Sequence, residues 1–101
     1  MKVTFFNQLH DAALDFSCSP QRIIDAVSAD KRIGYSHTRV PGFDGKKGFG
    51  GACLPKDMNA FVKFNQDLTL IAESVKINNK MREEYELDER EKNNNIKFED
   101  K

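Results

Sequence analysis

Cysteine is scarce in this chain. Cys18 and Cys53 are the only two in 101 residues, too few for a disulfide framework. Long apolar runs are missing altogether: none approaches the roughly 20 residues that span a bilayer. The opening MKVTFFNQLHDAALDF interleaves Asn7, Gln8, His10, Asp11 and Asp15 with its apolar residues. It therefore lacks the uninterrupted hydrophobic region of a secretory signal. These absences lead us to expect a cytoplasmic protein with reduced thiols. An excess of one charge is missing too, with 16 basic and 16 acidic residues, so neither nucleic acid nor a membrane is an expected partner.

Several motifs are incomplete. GFDGKKGFGG, residues 42–51, looks like a phosphate loop, but no Gly-Lys-Ser/Thr follows at the required spacing. It also fails the dinucleotide fingerprint, because no strand precedes it and no acidic residue follows at the right distance. Its glycines, lacking a Cβ, can still let the backbone come close to a ligand. Cys18, Cys53, His10 and His37 have none of the paired spacings of a metal site, so no metal is expected. No internal repeat and no convincing strand is visible.

Helical signals dominate what is present, and the expected fold class is all-α. Phe6, Leu9, Ala13 and Phe16 recur at three- and four-residue steps, flanked by Phe5 and Ala12, and predict a first helix over about Lys2–Phe16. It begins at full strength with no cap, as a helix continued from upstream would. Ser19 and Pro20 form an N-cap and first-turn pair for a second helix, with Ile23, Ile24 and Val27 facing inward. Cys18, between these two helices, reads as a small buried hydrophobe. The glycines gather between Ile33 and Gly51, in a long loop expected to be built of turns. Pro55 predicts the start of a third helix burying Ala60, Phe61 and Phe64. Asp67 is placed to cap a fourth, along which Leu68, Ile71, Val75 and Asn78 follow helical spacing.

The expected organisation is a helical domain over residues 1–81 and a charged tail over 82–101. In the tail the fourth helix extends to about Arg90 and disorder follows. The charge is unevenly spread. Lys31–Lys63 carries seven basic residues against two acidic ones, whereas Arg82–Lys101 carries five against eight. A helical core of this size is marginal alone, and self-association as a homodimer would relieve it.

The stretch GFGGACLPKD, Gly48–Asp57, concentrates the chemistry. Cys53 precedes a helix start, where free N–H groups favour a thiolate. Lys56 and Asp57 follow three and four residues on, within reach on one helical face. A cation beside a thiol activates it, and a carboxylate can orient water or accept a proton. On the residues alone a structural cysteine and a nucleophile both stay open.

This stretch resembles the active-site cysteine motif of the UDP-glucose/GDP-mannose 6-dehydrogenase family, which reads Gly-Phe-Gly-Gly, any residue, Cys, an apolar residue, Pro, Lys, Asp. DKRIG (30–34), VPGFDGKKGFGG (40–51), KVTFFNQL (2–9) and LIAESVKINN (70–79) are similar to other parts of the family's central domain, so the resemblance covers about Lys2–Met81. It implies a helical dimerisation domain of the 6-phosphogluconate dehydrogenase C-terminal-like type, set between an NAD-binding and a nucleotide-sugar-binding domain. It implies an enzyme that oxidises a sugar C6 alcohol to a carboxylate in two hydride transfers.

By this resemblance Cys53 takes the nucleophile's place and Asp57 that of the acid–base or water-orienting aspartate. Gly48, Phe49, Gly50 and Gly51 match the loop that cradles the substrate, Lys56 a lysine near the ligand phosphates, and Arg32 an arginine that reaches the sugar in the neighbouring subunit. The family's catalytic lysine and asparagine, and both flanking domains, fall outside the matched residues. The chain alone is thus expected to bind no NAD, to be inactive, and to meet a nucleotide sugar only with the missing domains. The alternatives are a non-catalytic dimerisation or binding module that kept the motif as structure, and a small thiol-active redox protein using Cys53.

Overall fold

The computed structural model describes residues 1–99. Among them are five helices and no strand: α1 (Lys2–Asp15), α2 (Pro20–Ser28), α3 (Cys53–Phe64), α4 (Thr69–Arg82) and α5 (Glu89–Asn93). None is long and apolar enough to cross a membrane. The chain divides into two compact units, Met1–Lys47 and Gly48–Lys101. The division falls in the glycine-rich stretch.

In the first unit, α1 and α2 pack as a helical hairpin. Their short connection is closed at both ends. The Ser17 N–H donates to Leu14 O at 3.0 Å and the Cys18 N–H to Ala13 O at 2.8 Å, with Ser17 left-handed at φ 58°. This pattern satisfies the last carbonyls of α1. Ser19 then caps α2, its side chain accepting from the Arg22 N–H, with Pro20 in the first turn as the sequence predicts. Phe6, Ala13 and Ile24 are buried, but Phe5, Leu14 and Phe16 are exposed, Phe16 by 81%. The apolar stripe of α1 is therefore wider than the surface this unit covers. Cys18 is exposed as well, which corrects its reading as a buried hydrophobe: the reversal of the chain at Ser17 turns it outward.

The loop from Ala29 to Lys47 is made of turns, including Gly34 N–H to Asp30 O and Gly45 N–H to Gly42 O, both 2.9 Å. Two lysines pin it to α1. Lys2 Nζ donates to Ile33 O at 2.6 Å and Lys47 Nζ to Asp11 Oδ1 at 2.5 Å.

In the second unit α3 packs against α4. The helix α3 begins at Cys53 rather than at Pro55, and its N-cap Ala52 offers no side-chain bond. Proline is tolerated through the first turn because the N–H it lacks has no intrahelical partner there. The helix buries Pro55 and leaves Ala60, Phe61 and Phe64 exposed, Phe64 by 84%, the reverse of the face expected. Asp67 is not the cap of α4. Leu68 holds that position with no side-chain bond, and Asp67 instead accepts the Thr69 N–H through its backbone carbonyl at 2.8 Å.

The region after Met81 also departs from expectation. The helix α4 stops at Arg82 instead of running to Arg90. A separate α5 follows, opened by a capping box in which Asp88 accepts the Glu91 N–H and Glu91 accepts the Asp88 N–H. The expected disorder beyond Arg90 is corrected as far as residue 99. Glu91 is fully buried, Ile96 is 6% exposed, and the Ile96 N–H donates to Glu91 O at 2.9 Å. Asp100 and Lys101, the rest of that expected stub, lie outside the described residues.

Candidate functional site

The site is built on the turn that leads into α3. Gly48 and Gly51 sit at φ 76° and 83°, left-handed conformations that exclude most side chains. Between them the backbone is locked on both edges. The Phe49 N–H donates to Asn78 Oδ1 at 2.6 Å, and Asn78 Nδ2 donates back to Phe49 O at 2.9 Å. Arg82 Nη2 donates to Gly48 O at 3.0 Å. The Gly51 N–H donates to Glu91 Oε2 at 2.9 Å, and Glu91 Oε2 lies 3.7 Å from Arg82 Nη1. All three supporting side chains are buried, where hydrogen bonds to the backbone rigidify the turn they hold.

The lack of a Cβ at Gly50 is explained by this network. A Cβ there would overlap Arg82 Nη1 and Glu91 Oε2, and one at Gly48 would overlap Asn78 Oδ1. The close approach these glycines permit is thus, in this chain, to its own α4 and α5.

The turn delivers Ala52 and then Cys53, the first residue of α3, whose thiol is exposed. No side chain caps this terminus. Lys56 and Asp57 are exposed three and four residues on, on the face that carries Cys53. No side-chain hydrogen bond or ion pair joins these three among the described residues. Asp57 also borders a shallow apolar surface formed by Leu54, Met58, Ala60, Phe61 and Phe64.

Eight residues were expected at the site. Gly48, Phe49, Gly50, Gly51, Cys53, Lys56 and Asp57 are contiguous in the second unit. Phe49 is 5% exposed, so its ring belongs to the core, and the N–H groups of Phe49 and Gly51 are already engaged within the chain. Arg32 lies in the first unit. There it is exposed and pairs with Asp30 through Nη2 to Oδ2 at 2.6 Å and Nε to Oδ1 at 3.1 Å. The pairing raises the guanidinium above its ordinary value and holds the Asp30 carboxyl below the usual range.

Sequence reasoning missed Asn78, Arg82 and Glu91 as parts of the site. The signals were present: Asn78 interrupts an apolar stripe, Arg82 follows one turn on, and Asp88-x-x-Glu91 is a capping-box pattern. No group of three His, Cys, Asp or Glu side chains gathers as a metal site among the described residues.

Residues 1–82 match the model of the UDP-glucose/GDP-mannose dehydrogenase family, central domain. The chain is 36% identical over 86 residues to a UDP-glucose 6-dehydrogenase of Streptococcus pneumoniae, covering 83% of this chain and 20% of that protein. It is 32% identical over 82 residues to a UDP-glucose 6-dehydrogenase of Rhizobium meliloti (strain 1021), covering 77% and 18%. A GDP-mannose 6-dehydrogenase of Pseudomonas savastanoi pv. phaseolicola is 38% identical over 60 residues, covering 58% and 13%. The chain thus spans at most a fifth of the length of these relatives. No solved structure matches it.

Proposed function

The chain belongs to the UDP-glucose/GDP-mannose dehydrogenase family through its central domain, and from that premise we propose that it carries the nucleophile of an NAD-dependent nucleotide-sugar 6-dehydrogenase. The observation that supports this most is the exposed Cys53 at the uncapped start of α3, with Asp57 one turn on. On this reading Cys53 is the nucleophile. Its Sγ adds to the carbon of a sugar C6 aldehyde, and the carbonyl oxygen takes up a proton. Asp57 handles that proton and later orients the water that releases the acyl group from sulfur.

The oxidation between these steps needs a hydride acceptor, which the described residues do not fit. The Gly48–Gly51 turn enters α3 with no preceding strand, whereas a dinucleotide's pyrophosphate sits on a strand–turn–helix unit. We assign no step to NAD within this chain. Its binding, and recognition of the sugar's nucleotide, belong to domains that the relatives have room for. On this reading Lys56 and Arg32 meet the substrate in the whole assembly, and Gly48–Gly51 shape the turn that presents Cys53. A second copy is the expected partner, supported by the exposed Phe5, Leu14 and Phe16 of α1. A cytoplasmic setting is part of the same reading.

The alternative, a binding module that keeps the motif as structure, is favoured by the exposed apolar face of Leu54, Phe61 and Phe64 on α3. A chimera separates the two. Residues 1–82 replace the matching segment of the Streptococcus pneumoniae enzyme, and NADH formation from UDP-glucose is followed. We expect turnover that Cys53→Ser abolishes. A chimera that oxidises UDP-glucose equally well with serine at position 53 rules out the nucleophile.

A further inference from the structure

The family match ends at residue 82, yet the chain beyond it reaches back into the site. Glu91, on α5, is fully buried. Its Oε2 accepts the Gly51 N–H at 2.9 Å and its Oε1 the Asp88 N–H at 3.0 Å. Arg82 lies beside it. The rest of the segment secures this arrangement, with Ile96 buried and the Phe98 ring centroid 5.8 Å from Arg82 Cζ. The backbone of Gly50 is pressed so closely against the Arg82–Glu91 pair that no Cβ fits. Gly51 is two residues from Cys53, and the first turn of α3 has no side-chain cap of its own.

We infer that Glu91 is a positioning residue for Cys53: the segment over residues 83–99 is a strap whose buried carboxylate holds the Gly51 amide, and so sets the turn that presents the thiol at the start of α3. A buried carboxylate beside a cysteine is electrostatically unfavourable for a thiolate. The neighbouring Arg82 guanidinium offsets it, so what Glu91 adds is geometry. With the turn fixed, the thiol is presented in one orientation at the start of α3. With it loose, the thiol samples several, and attack on an electrophile slows.

This inference rests on the reading of Cys53 as the reactive thiol, and the test separates the two. The whole chain is alkylated with iodoacetamide at neutral pH, and labelling of Cys53 and Cys18 is followed by peptide mapping. Cys18 is exposed in the other unit and serves as an internal standard. Glu91→Gln keeps the volume but offers one acceptor where two N–H groups need two. It should slow Cys53 by about three- to tenfold, leave Cys18 and the helical circular dichroism unchanged, and speed amide exchange in the peptide over residues 48–57. Asp88→Ala, which removes the cap of α5 but keeps the carboxylate, should act in the same direction more weakly. Lys92→Ala, on the exposed side of α5, should do nothing.

A folded Glu91→Gln protein whose Cys53 labels at the wild-type rate overturns the inference, as does equal slowing of both cysteines. If Glu91→Gln fails to fold, Asp88→Ala decides: faster exchange over residues 48–57 with an unchanged Cys53 rate overturns it. If Cys53 labels no faster than Cys18 in the unsubstituted chain, the reactive-thiol reading and this inference fall together. If it labels faster but ignores Glu91, only the inference falls.

Discussion

Asn78 and Gly48 should be thermodynamically coupled, and the strength of the coupling follows from the geometry. Asn78 is 1% exposed and Phe49 5%, and the Asn78 amide group satisfies both the N–H and the C=O of Phe49. Asn78→Ala leaves two buried backbone groups unpaired, each costing about 1–3 kcal/mol. The loss is then about 2–6 kcal/mol, a large share of the roughly 5–15 kcal/mol that holds a domain folded. Gly48→Ala has two costs. Left-handed φ in a non-glycine residue takes about 1–2 kcal/mol. The new Cβ would also overlap Asn78 Oδ1, displacing the amide and breaking at least one of its bonds for about 1–3 kcal/mol more.

In the Asn78→Ala background the second cost vanishes, because the atom that would be struck is gone. Gly48→Ala should therefore cost only the backbone term there. The double variant should be less destabilised than the sum of the singles by about 1–3 kcal/mol, the range seen for residues in direct contact. Urea denaturation of the four proteins, followed by helical circular dichroism and compared at a common m-value, measures this. Costs that add to within about 0.5 kcal/mol would refute the reasoning, since they would mean that Gly48 is required for its dihedral angle alone.

Asp11 supplies a pH test. Burial pushes its carboxyl up, but the hydrogen bond and charge of Lys47, aided by His10, outweigh this and hold it below its ordinary value of 3.8. A carboxyl lowered in the folded state adds stability that is present above its unfolded value and lost as the pH falls through the folded one. Because the Asp11 side chain is 44% exposed, the pair is worth less than about 1 kcal/mol. Asp11→Asn should flatten the stability profile between about pH 5 and pH 3 by that amount, and a melting curve whose pH dependence is unchanged contradicts the pairing. The expected dimer is checked by sedimentation equilibrium, where a folded monomer at high micromolar concentration counts against it. Phe16→Ser, at an 81% exposed position, should weaken self-association while leaving monomer stability within about 0.5 kcal/mol.

The residues by themselves determined the helices α1 to α4, the capping of α2 and the place of the GFGGACLPKD stretch. Periodicity, Ser19-Pro20 and the GFGGACLPKD motif act through neighbours a few positions apart, and local physics is legible locally. The sequence could not tell which apolar faces are covered. Phe61 and Phe64 follow the same helical period as a buried stripe, yet they are exposed, because burial depends on what other elements leave uncovered. The site's support was hidden for a related reason. Asn78, Arg82 and Glu91 lie 29, 34 and 40 residues from the loop atoms they hold, and no local spacing encodes such pairings. Glu91 carries a local capping-box signal, but nothing local marks it as the acceptor of the Gly51 N–H. Only the fold makes it a buried acceptor, by turning the chain after Arg82 and bringing α5 against the glycine turn, where leaving the Gly51 N–H unpaired would be costly.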